Sequence, residues 1–251
     1  MDYLASALDF LASVSGYLVS ALLIGFAILI HEFGHLVAAW LTRIPIARFS
    51  VGIGPKLWGK QLGETDYWLS AIPLGGYVLP AVEDHDDFIK FPIWKRLLFA
   101  IGGPAANVLL SFVCLAVYFV WQDGFSIAAI SVQPAEKIVA MIAAIITAIG
   151  GLFSGAGEVS GVVGIVAAGD KVIGDGLIGM LKFLNALSIS LAVFNMLPMP
   201  PLDGGKIVMY LVEKIDRRLL RLHEHLTVVG ILLILGLMIY ATYGDVNRLL
   251  N

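Results

Sequence analysis

Charge is what this sequence has least of. Only 14% of its 251 residues are Asp, Glu, Lys or Arg, while 59% are hydrophobic; an ordinary soluble domain carries about 25% charge. The deficit excludes a water-exposed globule and turns the reading toward a bilayer. Cysteine is nearly missing: Cys114 alone excludes an intrachain disulfide framework and a multi-cysteine metal site. No basic arm accompanies the net charge of -3, so nucleic-acid binding has no electrostatic footprint. No basic n-region precedes the first apolar run, which follows Asp2 and Asp9. That run therefore reads as a retained span and not a cleaved signal.

Uninterrupted apolar sequence is what the chain has in quantity. Crossing a bilayer takes about 20 apolar residues. Four segments qualify, at about 14–41, 95–121, 178–199 and 226–244, within a single embedded domain over 1–251. A fifth run, 138–157, is uncharged but rich in Ala and Gly. Charge placement arbitrates. With an extracytoplasmic start and four crossings, the seven basic residues from Arg43 to Arg96 and the five from Lys206 to Arg221 lie inside, out of sixteen. The positive-inside rule favours that arrangement, and a fifth crossing would put the two basic loops on opposite sides. The expectation is an α-helical polytopic membrane protein with about four transmembrane helices. Both termini are then extracytoplasmic, and 134–153 forms an interfacial or partly embedded helix before the third span. After the first span, "ARFSVGI" and "DYWLSAI" are β-type runs broken by Gly and Pro, which predicts a small membrane-associated hairpin over 43–80.

Inside the first apolar run stands "HEFGH". On a helix His31 and His35 share a face one turn apart. Glu32 adjoins the first of them. Two imidazoles and a carboxylate at this spacing are the pattern of two zinc ligands and a general base. Ionisable residues in a span are costly and mark function, so His31 and His35 are read as metal ligands. Gly34 lets the backbone there approach another helix or a substrate chain. Zinc needs a third protein ligand. His85, His223 and His225 lie in polar stretches, and the last two are spaced off a common helix face. Asp203 is the better candidate. It follows Pro198, Pro200 and Pro201 and precedes Gly204 and Gly205, on irregular backbone at the end of a span, where a carboxylate must line a cavity or meet a partner. A membrane metal transporter or carrier built on the same His and Asp residues is the alternative; no paired inverted halves support it.

"HEFGH", "GGPAAN" from Gly102 to Asn107 and "NMLPMPPLDGG" from Asn195 to Gly205 together resemble the site-2 protease family of intramembrane zinc metalloproteases, peptidase family M50. "PLGGYV" from Pro73 and "VSGVVGI" from Val159 resemble its RseP-type branch. The resemblance implies His31, His35 and Asp203 as ligands of one Zn2+, with Glu32 as general base. It implies Asn195 near the substrate or oxyanion and Asn107 in support of the site. The hairpin would present substrate as an added strand. Implied substrates are single-span membrane proteins such as anti-sigma or signalling precursors, cut in the inner (plasma) membrane by a site open to the cytoplasm. The chain departs from that branch between Gln122 and Gly176, a stretch too short for the PDZ domains the branch carries there.

Overall fold

The computed structural model describes residues 2–82, 85–153, 161–213 and 220–250, with backbone alone for 2–13, 73–74, 85–86, 152–153, 162, 220–225 and 249–250. Val159 and Ser160 of "VSGVVGI" and the basic residues Lys214, Arg217 and Arg218 lie outside the described residues. So do the side chains of Pro73, Leu74, His85, Arg221, His223 and His225.

The order is α1 (Asp2–Thr42), β1 (Ile46–Leu62), β2 (Thr65–Pro80), α2 (His85–Ile89), α3 (Ile93–Asp123), α4 (Gln133–Phe153), α5 (Val162–Ile173), α6 (Leu177–Asn195), α7 (Asp203–Glu213) and α8 (Leu220–Leu250). A single π-helical turn, Ala128–Val132, leads into α4. Among the described residues five helical segments, not four, are long and apolar enough to cross a membrane: Val14–Thr42, Ile93–Asp123, Ala128–Gly151, Leu177–Asn195 and Leu226–Arg248. The added one contains most of the run expected at the interface. Its Ala and Gly content lowers hydropathy per residue, yet 24 residues still reach about 36 Å at 1.5 Å each, enough for the hydrocarbon layer. α6 stops at Asn195, short of the expected 199, because Pro198 ahead of it cannot continue a helix.

The residues form two compact units. One comprises residues up to 24, 111–187 and 234 onward; the other comprises 25–110 and 188–233. α1, α3, α6 and α8 each begin in one unit and end in the other, whereas α4 and α5 belong to the first throughout. The second unit contains the hairpin and α7.

α1 ends where Arg43 turns left-handed at φ 56° and Pro45 follows. The hairpin turns at Gly63, whose φ of 63° suits a residue without Cβ. Both strands bend, so each contributes two rungs. Arg48–Val51 pairs with Asp66–Leu69 and with Gly76–Leu79, and Asp66–Leu69 also pairs with Trp58–Gln61. Gly76–Leu79 is thus an edge of the sheet. Leu36 and Ala39 of α1, Ile46 and Phe49 of β1, Phe88 of α2, Phe99 and Ala100 of α3, and Tyr210 of α7 meet in one buried core. Every element that supplies the site described below is tied to this core except α6. At its far end α7 is anchored by Glu213, which accepts a hydrogen bond from Arg96 Nη1 at 2.5 Å, both side chains being buried. Removing one partner of such a pair costs about 3–5 kcal/mol.

Candidate metal centre

The helical spacing of His31 and His35 brings their Nε2 atoms to 3.2 Å. Asp203 Oδ2 lies 3.1 Å from one and 3.2 Å from the other. Three atoms from segments 168 or more residues apart in sequence thus form a nearly equilateral triangle, all three side chains buried. Tetrahedral bonds of about 2.0–2.1 Å set zinc ligand atoms about 3.3 Å apart, so the donor set fits one Zn2+ with a fourth position left over. Among the described residues this is the only such group. His31, His35 and Asp203 form one site per chain with the donor set of a Zn2+ centre.

The atoms behind the ligands agree. Ligation through Nε2 leaves Nδ1 protonated, and that N–H needs an acceptor. His35 Nδ1 donates to the Phe99 carbonyl oxygen at 2.7 Å. The Asn107 amide lies 3.3 Å from His31 Nδ1 through Nδ2 and leaves Oδ1 buried without a partner. The two amide ends are interchanged by a flip, and the hydrogen-bond network decides between them. With Oδ1 toward His31, the orphaned oxygen gains its donor and His31 gains the tautomer that frees Nε2 for metal. Asp203 Oδ1 accepts from Lys206 Nζ at 2.9 Å, so Oδ2 alone faces the imidazoles. In the metal-free site burial works against ionising Asp203, but hydrogen bonding with His31 and His35 in their Nε2-protonated forms and the charge of Lys206 outweigh it and hold the carboxyl below its ordinary range.

Glycines set the clearances. A Cβ on Gly103 would lie 2.4 Å from His35 Nε2 and 2.7 Å from His31 Nε2, so the α3 backbone walls one side of the triangle. Gly34 and Gly102 face each other closely: a Cβ on either would come within 2.6 Å of the other's carbonyl oxygen. Gly34 thus serves the α1–α3 crossing, the small-residue packing expected between apolar helices. Gly204 and Gly205 let the first turn of α7 lie against the 196–200 loop, which is how the proline-broken segment delivers Asp203.

A cavity of about 270 Å³ opens on the cluster. Glu32 lines it, half-buried, together with Asn195, Lys206, Pro201 and the edge-strand residues Tyr77 and Val78. A Cβ on Gly76 would come 3.3 Å from Glu32 Cγ, so that edge passes directly by the carboxylate. Asn195 Nδ2 donates to Leu191 O at 3.0 Å, which commits one amide hydrogen to its own helix and leaves one for the cavity. The structure brings His31, Glu32, His35, Asn195 and Asp203 around one cavity and sets Asn107 behind His31. Sequence reasoning missed the Phe99 carbonyl, which has no sequence signal. It also missed Gly103 and Lys206; the latter was available from the i,i+3 rule on a helix starting at Asp203.

The model of peptidase family M50 matches residues 19–238. Residues covering 92% of the chain align with 98% of a presumed zinc metalloprotease of Clostridium perfringens at 26% identity. That alignment runs over 330 positions, more than the 251 residues available, so part of the relative has no counterpart here. A presumed zinc metalloprotease of Chlamydia trachomatis is 38% identical over 122 residues, which span 41% of this chain and 20% of that protein. The zinc metalloprotease Rip1 of Mycobacterium tuberculosis is 34% identical over 119 residues, 43% of this chain and 30% of that one. The chain thus spans a fifth to a third of two of these relatives and nearly all of the third.

Proposed function

The chain belongs to peptidase family M50, and from that premise we propose that it is an intramembrane zinc endopeptidase of the site-2 type, RseP-like but without PDZ domains. The observation that carries the reading is the buried His31–His35–Asp203 triangle, with Glu32 and the Gly76–Leu79 edge on one cavity. Its substrates are single-span membrane proteins, with anti-sigma and signalling precursors as the class suggested by resemblance.

His31, His35 and Asp203 would hold the zinc, which would supply Lewis acidity for the scissile carbonyl and for activating water. The chain's own groups do the rest. A substrate helix shields its carbonyls in i→i-4 bonds. Pairing with the Gly76–Leu79 edge replaces those bonds once the segment unwinds. Glu32 takes the proton of the attacking water and passes it to the leaving nitrogen. The free amide hydrogen of Asn195 is the donor for the developing oxyanion. Lys206 keeps Asp203 on a single oxygen.

For topology we propose four crossings by α1, α3, α6 and α8, with both termini extracytoplasmic and the site open to the cytoplasm in the inner (plasma) membrane. This arrangement keeps the basic segments after α1 and α6 on one side. Reconstitution with single-span peptides, with fragment masses mapped, tests the activity. Wild type should cut within or near the span. Glu32→Gln should keep one zinc per chain and lose about 100- to 10,000-fold in kcat. Ordinary turnover by that variant would remove Glu32 from the base role.

A further inference from the structure

A second cavity, of about 450 Å³, lies within the first unit, among the last turns of α3 and the first turns of α4 and α6. Its apolar walls are Leu115, Phe119 and Leu181, with Cys114 beside them. Its polar lining is of a different kind: Lys137, Lys182, Asn185, Gln122 and Tyr118, with no carboxylate. Lys137 forms no ion pair among the described residues. Lys182 meets Asp175 at 3.7 Å and lies 5.8 Å from the Tyr118 ring centroid. Asn185 is 94% buried; its Oδ1 accepts from Ser111 Oγ at 2.6 Å, but its amide nitrogen has only the Met141 thioether, at 3.5 Å. A thioether is a weak acceptor, so a buried N–H donor is left underused beside two cations.

Position makes this unusual. Lys137 sits in the third turn of the apolar segment Ala128–Gly151 and Lys182 in the second turn of Leu177–Asn195, both apolar enough to cross a membrane. Tyr118 and Gln122 occupy the closing turns of a third. Ammonium groups at the edge of hydrocarbon need a counter-charge or a route to the headgroup layer. A lipid with an anionic headgroup supplies both, its phosphate meeting the ammonium groups and its acyl carbons meeting the apolar walls. We propose that this cavity binds an anionic glycerophospholipid. Lys137 and Lys182 hold its phosphate, the Asn185 amide donates to it, and its glycerol and proximal acyl carbons lie against Leu115, Phe119 and Leu181.

The site is independent of the peptidase chemistry, and its test does not read cleavage. The full-length zinc-loaded protein is delipidated in a neutral detergent. Affinity is then measured for phosphatidylglycerol, phosphatidylcholine and inorganic phosphate, by thermal shift and by native mass spectrometry. Wild type should retain phosphatidylglycerol and be stabilised by it, with no comparable response to phosphatidylcholine or phosphate. The double variant Lys137→Gln, Lys182→Gln should bind phosphatidylglycerol about twenty-five-fold more weakly, each lysine being worth about fivefold. Leu181→Trp, which fills the cavity and leaves the charges, should block retention as well and serves if the double variant does not fold. Equal stabilisation by phosphatidylcholine would overturn the proposal, as would a phosphate response equal to the lipid's. So would undiminished phosphatidylglycerol binding in both variants.

Discussion

Asp203 and Asp245 are both carboxylates buried among apolar helices, one in each unit, at 3% and 2% exposure. What surrounds them differs. Asp245 Oδ2 accepts from the Gly164 backbone N–H at 2.7 Å, at the N-terminus of α5, and Oδ1 accepts from Arg248 at 2.7 Å. Its donors are a helix end and a guanidinium, the partners of a structural cap, and glycines 161 and 164 clear the way for it. Asp203 meets two imidazole nitrogens that converge on the same oxygen, beside a cavity that also admits a second carboxylate. A buried acid among apolar helices therefore marks a place where something must be satisfied; whether donors or lone pairs of its neighbours face it says whether that something is protein or metal.

The sharpest way to break the comparison is to remove each acid. Asp203→Ala should lose stoichiometric zinc and all measurable cleavage, because two imidazoles alone leave the ion half-coordinated. Asp245→Ala should keep one zinc per chain and lose about 1–3 kcal/mol of stability, the cost of an orphaned cap. Metal analysis beside thermal unfolding reads both, and equal zinc loss in the two variants would erase the distinction. Next comes Asn107→Leu, which removes the acceptor from His31 Nδ1–H and should weaken zinc binding about 10- to 100-fold with little loss of fold. Competition with a chelator of known affinity measures it. Smallest is Lys206→Met. Freed from the ammonium, Asp203 can offer both oxygens. The cobalt-substituted protein should shift from a tetrahedral toward a higher-coordinate spectrum, with about tenfold weaker metal binding and partial rescue by Lys206→Arg.

The sequence made the ligands legible because their chemistry is local or punctuated. His31 and His35 carry a helical period, and Asp203 stands between prolines that break the chain and two glycines; the irregular backbone expected there ends before Asp203, which opens α7, and the glycines serve its close packing on the 196–200 loop. The hairpin was legible for the same reason, although its doubled pairing was not: Phe49 faces both Tyr67 and Val78, and nothing in either run specifies two partners. The helix expected over 134–153 was under-read in its reach: the apolar segment runs over 128–151 and is long enough to cross, because Ala and Gly dilute hydropathy without shortening the helix. The Phe99 carbonyl and the Arg96–Glu213 pair were invisible, since main-chain acceptors carry no residue signature and those two charges stand 117 positions apart.

The backbone wall at Gly103 has a practical corollary for chemists. Anything meant to chelate this ion is confined to the face where Tyr77, Val78, Asn195 and Pro201 stand. An inhibitor should therefore be a slim warhead on an extended, strand-like tail. Bulky chelators that grip an ion from two sides would have to strip it from the protein instead of capping it in place.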